Sequence, residues 1–280
     1  MFYSKYLKRC HWWLPFLCYS LDANAWGLVT HVYFSHSLLW AMPLLDSRLR
    51  NVIQKFPELV MAGACIPDLA IVSHHFSHTH GWEHAHKLLM AAETDVETAI
   101  AIGYMSHLYI DVIAHNHFVP AHEAMWHKNQ VLTHIASEWA MDAHLAPLIK
   151  VSPRYLINKH KLAIVKFISA QFDCPEPMTC SALTRLAFWD GVLRFVRLPE
   201  LIYKVVRLLD NNALNKFIYY IAKTQIAIAN IGEVLSGGVP ELEPELKNLS
   251  VEQLDVWREE CLMHLKMLHP SPIQYFTKSA

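Results

Sequence analysis

Residues 103–120, GYMSHLYIDVIAHNHFVP, constrain the fold of this chain more than any other stretch. His107, Asp111 and His115 follow one another at intervals of four residues. Side chains four residues apart lie on the same face of an α-helix, so a helix here would align two imidazoles and a carboxylate among apolar neighbours. Burying such groups is costly unless something binds them, and both are zinc ligands. A single His-x-x-x-Asp pair would also fit an ordinary polar helix face.

The same spacing recurs further along the chain. His134 and Glu138 are four residues apart, and Asp142 follows one turn later. A second helix of this kind, facing the first, could supply another metal position.

Other candidate ligands lie between and before these two segments. Residues 73–87 hold six histidines, of which we take His80 as the candidate ligand and His78 as the alternate. Asp68 follows a proline in an apolar run and could cap a helix or reach the same site. His31 stands near the start of an N-terminal helix, where alone it would be an ordinary surface residue.

Composition favours a helical fold with a large core. Of 280 residues, 53% are hydrophobic, and 19 are His against 8 Gly. We predict an all-α, single-domain helix bundle over residues 26–280, with the metal ligands in 26–145 and a helical remainder in 146–280. The predicted helices are 26–40, 47–60, 83–90, 95–120, 133–148, 154–172, 181–197, 199–209, 211–235 and 250–268, with a polar connection at 121–129. The net charge of −1 gives no broad basic field for nucleic acid, and no stable protein partner is implied.

Residues 1–25 have the pattern of a secretory signal peptide. A basic start precedes a short apolar run, and Ala23-Asn24-Ala25 is an A-x-A cleavage site. Cleavage after Ala25 would export the protein and leave Trp26 with a free α-amino group able to bind a metal. The alternatives are an ordinary helical start or an uncleaved anchor.

Four cysteines follow the predicted cleavage site. Cys174 and Cys180 flank the Pro-rich segment CPEPMTC and are the pair we predict for a disulfide in an exported protein. Cys65 lies in an apolar stretch and fits a buried free thiol.

Taken together, five segments resemble the zinc-dependent phospholipase C family. They occur in the family's order and cover roughly residues 25–145, whereas the C-terminal half matches only in being helical. The segments are AWGLVTH (25–31), GACIPD (63–68), HTHGW (78–82), SHLYIDVIAHNHFVP (106–120) and HIASE (134–138).

The resemblance implies an all-α fold of the phospholipase C and P1 nuclease type, with up to three zinc ions. His115 is the expected second-zinc histidine, whereas the spacing of the bacterial enzymes would select His117. The ligand sets implied are Asp68, His80, His107 and Asp111 for one zinc, His115, His134 and Glu138 for a second, and Trp26, His31 and a bridging Asp111 for a third.

The activity implied is phospholipase C hydrolysis at a membrane surface. A zinc-bound hydroxide would attack the head-group phosphodiester of a phospholipid, with Asp68 orienting the water, and diacylglycerol would be released. Two alternatives stay open. One is a single-strand-specific zinc nuclease, and the other is a non-catalytic exported protein that binds metal for stability.

Overall fold

Helices account for the regular secondary structure of the residues described by the computed structural model, which are 27–126, 130–245 and 249–268. Within these ranges the chain has no β-strand, so the all-α prediction is confirmed. The α-helices are α1 (Leu28–Ala41), α2 (Ser47–Lys55), α3 (Pro57–Gly63), α4 (Leu69–Val72), α5 (Trp82–Met90), α6 (Asp95–Ile113), α7 (Val119–Trp126), α8 (Gln130–Leu145), α9 (Pro153–Gln171), α10 (Glu176–Phe195), α11 (Leu198–Leu209), α12 (Ala213–Ile228), α13 (Ile231–Leu235) and α14 (Val251–Met267).

Helix α6 forms the centre of the molecule. Thr94 caps its N-terminus, and a reciprocal bond from the Glu97 side chain completes the capping box. Every residue from Thr98 to Ile113 is buried, which is typical of a helix surrounded by other helices. The polar side chains of α6 therefore lie in the interior, where they need partners from neighbouring elements.

Two glycines bring α3 and α6 into direct backbone contact. A Cβ atom on Gly103 would overlap the carbonyl oxygen of Val60, and one on Gly63 would overlap that of Ile100. Only glycine permits this separation between the helices. The contact places the segment that follows α3, including Ala64, beside the face of α6 that carries His107.

The predicted boundaries fail around residues 47–60 and 95–129. Pro57 starts a new helix, α3, because proline suits the first turn of a helix but cannot continue the preceding one. The long predicted helix 95–120 ends at Ile113 and passes through a π-helical turn, Ala114–Phe118. The predicted polar connection is wrong over 121–126, where α7 packs with buried Ala121 and Ala124.

The C-terminal helices pack on the same core as the N-terminal ones. Buried apolar side chains from Leu28 to Leu265 form one continuous cluster. The helix α14, which starts with a capping box at Ser250, packs against α7. The limits of the domain itself stay a prediction.

The predicted Cys174–Cys180 disulfide is wrong. Both are free cysteines in the structure, as is the buried Cys65. The predicted signal peptide, its cleavage site and Trp26 lie outside the described residues. Among the helices of the described segments, none has the length and apolarity that a membrane span requires.

Candidate metal centre

Three groups of metal-ligating side chains lie in the interior, around the C-terminal half of α6. In each group one donor atom per residue lies within 4.8 Å of the others. The Asp68 group consists of Asp68, His80 and His107, the His31 group of His31, His107 and Asp111, and the His115 group of His115, His134 and Glu138.

The Asp68 group joins α6 to the loops on either side of α4. Asp68 immediately precedes α4, yet its side chain makes no capping hydrogen bond. Its Oδ1 atom lies 3.9 Å from His80 Nε2 and 3.8 Å from His107 Nε2, and the two Nε2 atoms are 3.3 Å apart. The alternative role of Asp68 as a helix cap is therefore excluded by its contacts.

Asp111 faces two groups at once. Its Oδ2 lies 3.0 Å from His107 Nε2 and 3.6 Å from His80 Nε2, whereas Oδ1 lies 3.3 Å from His31 Nε2. As the four-residue spacing predicts, His107 and Asp111 share a helix face. The carboxylate is fully buried, and its two oxygens point to different donor sets, which is the arrangement of a bridging ligand.

The His115 group joins the π-helical turn to α8. His134 and Glu138 lie four residues apart on α8, with Nε2 and Oε1 separated by 3.0 Å. His115 Nε2 is 3.4 Å from the same Glu138 oxygen. The His134–Glu138 pair of α8 therefore contacts the segment 103–120 at His115.

The donor set fits zinc. Ligands about 2 Å from a tetrahedral ion lie about 3.4 Å apart, and the contacts described between these side chains, 3.0–3.9 Å, bracket that distance. Several inward-facing atoms are buried without a hydrogen bond to any described residue, although buried polar atoms are normally bonded. These atoms are His31 Nε2, Asp68 Oδ1, both Asp111 oxygens, His115 Nε2, His134 Nε2 and Glu138 Oε1. Cations bound in the three groups would satisfy these atoms.

Backbone carbonyls fix the orientation of two of these rings. His107 Nδ1 lies 2.7 Å from the carbonyl oxygen of Ala64, and His115 Nδ1 lies 2.7 Å from that of Pro244. A carbonyl only accepts, so Nδ1 carries a hydrogen in both rings, and the neutral imidazole then presents the lone pair of Nε2 to the site. Since His107 has one such nitrogen, it can bind one ion, and the His31 group then needs a donor from elsewhere.

The electrostatics show carboxylates and imidazoles that strongly perturb one another. Burial raises the pKa of Asp68 to about 8 and lowers that of His80 to about 3, with repulsion from His107 adding to the decrease. Burial also opposes ionisation of Asp111, but attraction to His107 and His31 holds its pKa well below the usual range. Burial disfavours charging of His115, yet Asp111 and Glu138 raise its pKa to about 9.

The structure also shows which alternates stand apart from the three groups. His117 turns away from the groups toward Trp257, with ring centroids 5.7 Å apart, and burial lowers its pKa to about 3. His78 is exposed and stacks on His84 at 6.5 Å. The spatial groups therefore favour His115 over His117 and His80 over His78.

Asp142 has a different role from Glu138, which lies one turn before it on α8. Its Oδ1 accepts hydrogen bonds from the backbone nitrogen and hydroxyl of Thr30, both 2.8 Å, and its Oδ2 pairs with Arg194 at 2.9 Å. It therefore anchors the start of α1, the helix that presents His31.

Sequence reasoning missed the contribution of the C-terminal half. Besides the Pro244 carbonyl, Glu245 places Oε1 3.8 Å from His80 Nδ1. No helical period links residues 244 and 245 to His115 or His80. The only sequence signal was a Pro-rich acidic loop at 236–249.

Comparison with known families decides the relationship. A family model described as zinc dependent phospholipase C matches residues 30–174, just over half of the chain. The protein belongs to the zinc-dependent phospholipase C family. No curated protein and no solved structure gives a significant match. All the side chains of the three groups lie in the matched range, which extends beyond the predicted resemblance to include α9, whereas Pro244 and Glu245 lie outside it.

Proposed function

We propose that this phospholipase C family member hydrolyses the head-group phosphodiester of phospholipids with bound zinc. The observation that supports it best is that buried metal-ligating atoms without hydrogen-bond partners converge in three adjacent groups, within the range of the family match. Zinc supplies a water of lowered pKa and neutralises phosphoryl oxygens.

We assign the ions as follows. The Asp68 group with Asp111 Oδ2 would hold one zinc, and the His115 group a second. His31 and Asp111 Oδ1 would hold a third, with the amino and carbonyl groups of Trp26 completing it if cleavage follows Ala25. Because His107 Nε2 serves one ion, the third position depends on that free terminus.

The protein's own residues would perform three tasks in the reaction. Asp111 would help to hold two of the zinc ions, which would neutralise charge on the reacting phosphodiester. Asp68, as a ligand or nearby base, orients the attacking water. Water adds to phosphorus, the bond from phosphorus to the glycerol oxygen breaks, and the products are diacylglycerol and a phosphorylated head group.

The test is to purify the zinc-loaded chain and to measure zinc per chain and diacylglycerol release from phosphatidylcholine vesicles. We expect Asp111→Asn to lose zinc and at least about 100-fold in hydrolysis, since even residues behind the ligands are worth 10–100-fold. The matched control is Asp95→Asn, a half-exposed aspartate of the same helix that pairs with Lys55 at the surface. Full activity of Asp111→Asn would refute the mechanism.

Two further arms separate the alternatives. Single-stranded DNA hydrolysed faster than vesicles would favour a nuclease, and zinc binding without cleavage of either substrate would favour a structural metal site. Sequencing the N-terminus of the exported protein tests whether Trp26 is the first residue.

A further inference from the structure

Residues 242–245, here called the strap, lie between α13 and α14 and contact side chains of two of the three metal groups. In all, they contact four side chains from the N-terminal half. Trp82 Nε1 donates to the carbonyl of Leu242 at 3.2 Å, and Asn116 Nδ2 donates to that of Glu243 at 2.8 Å. These bonds join positions more than 120 residues apart.

The next two strap residues, Pro244 and Glu245, each contact a candidate metal ligand. The Pro244 carbonyl accepts from His115 Nδ1 at 2.7 Å, while the Glu245 carboxylate lies 3.8 Å from His80 Nδ1. A carboxylate or carbonyl behind a ligand histidine fixes its tautomer, orients the ring and raises its basicity. The Pro244 carbonyl therefore sets the inward-facing nitrogen of His115. The Glu245 carboxylate places a negative charge beside Nδ1 of His80, which also contacts the Thr79 hydroxyl at 3.4 Å.

The local sequence explains how the strap keeps its shape. Gly237, with φ of 98°, ends α13 in the left-handed conformation. Pro240 and Pro244 then fix their own φ angles and favour extended backbone at the residues before them. Asn116 is buried between His115 and His117, and its backbone carbonyl accepts a hydrogen bond from Trp257 Nε1 on α14 at 2.6 Å. Both α14 and the strap are therefore hydrogen-bonded to Asn116.

We propose that the strap is a ligand-positioning element, in which the Pro244 carbonyl orients His115 and the Glu245 carboxylate orients His80 for metal binding. The proposal rests on the metal centre described above and assigns a function to a segment outside the family match. It requires the strap to strengthen zinc binding without itself contacting the ions.

The test compares zinc affinities by competition with a chromophoric chelator. We expect Glu245→Ala to weaken binding by roughly 10–100-fold, the loss typical of a residue behind a metal ligand. Glu245→Gln should lose less, because its amide oxygen keeps a partial negative charge beside His80 Nδ1. The matched control is Glu243→Ala, which removes the same charge from an exposed side chain and leaves the backbone carbonyl in place.

A second measurement separates positioning from general stabilisation. Melting temperatures of the chelator-stripped variants should equal that of the stripped wild type, whereas those of zinc-loaded Glu245→Ala should fall. Equal losses of affinity in Glu245→Ala and Glu243→Ala would overturn the proposal, as would wild-type affinity in Glu245→Ala or an equal loss of stability without zinc.

A variant of Asn116 tests the backbone contacts. Asn116→Asp would place an oxygen against the Glu243 carbonyl and displace the strap. We therefore expect less zinc to be bound in both the Asp68 group and the His115 group. Retention of all the zinc would contradict the proposal. A wild-type chain that binds zinc but cleaves no phospholipid would refute the proposed function, while the affinity comparison would still decide the role of the strap.

Discussion

Replacing Asp142 should destabilise the protein far more than replacing an ordinary helix cap. Its carboxylate is 4% exposed and accepts two hydrogen bonds from Thr30 in addition to the ion pair with Arg194. Hydrogen bonds to charged groups are worth about 1.5–3 kcal/mol each, and breaking a buried ion pair costs about 3–5 kcal/mol. Because Arg194 is partly exposed and keeps Asp190 as a partner, we expect Asp142→Ala to cost about 4 kcal/mol.

Urea unfolding of the zinc-loaded and stripped protein would measure this loss. The natural comparison is Asp46, which caps α2 through local bonds to Arg48 and Leu49 at the surface. Removing a local cap of that kind costs about 1 kcal/mol, so Asp46→Ala gives the reference value.

The asparagine variant of Asp142 should keep part of the anchor. Asp142→Asn should cost about 2 kcal/mol, since an amide oxygen still accepts from Thr30 but carries no charge for Arg194. Since α1 presents His31, Asp142→Ala should also release zinc from the His31 group before the others. If Asp142→Ala costs no more than Asp46→Ala, the carboxylate does not anchor α1.

Three further predictions follow from the packing. Gly103→Ala should cost about 3 kcal/mol or more in urea unfolding, because the new methyl would overlap the Val60 carbonyl and force the helices apart. Burial lowers the pKa of His122 from 6.5 to about 4, so the unfolded chain binds the proton more tightly. Stability should therefore fall by about 3 kcal/mol from pH 6.5 to 4, relative to His122→Gln. Finally, Cys174 and Cys180 should both be alkylated under denaturing conditions without reductant, as mass spectrometry would show.

Each of these has a clear contrary result. A Gly103→Ala protein as stable as the wild type would mean that α3 and α6 are not in backbone contact. The same pH dependence in wild type and His122→Gln would show that the buried histidine is not held neutral. Protection of both cysteines from alkylation would restore the disulfide that the sequence suggested.

The local part of this protein was readable from its sequence. Four-residue spacing determines which side chains share a helix face, and it paired His107 with Asp111 and His134 with Glu138. The Thr94 capping box likewise depends on residues three apart. Such features follow from the geometry of a single helix, in which every partner lies within one turn.

Tertiary structure decided what the helices meet. Helical spacing favoured His115, with His117 as the alternate, and packing against Trp257 and α8 separates the two. The Pro244 carbonyl reaches His115 across 129 residues, and no periodicity encodes that approach. The physical reason is that backbone geometry fixes directions within an element, whereas the approach of distant elements depends on the packing of the whole core.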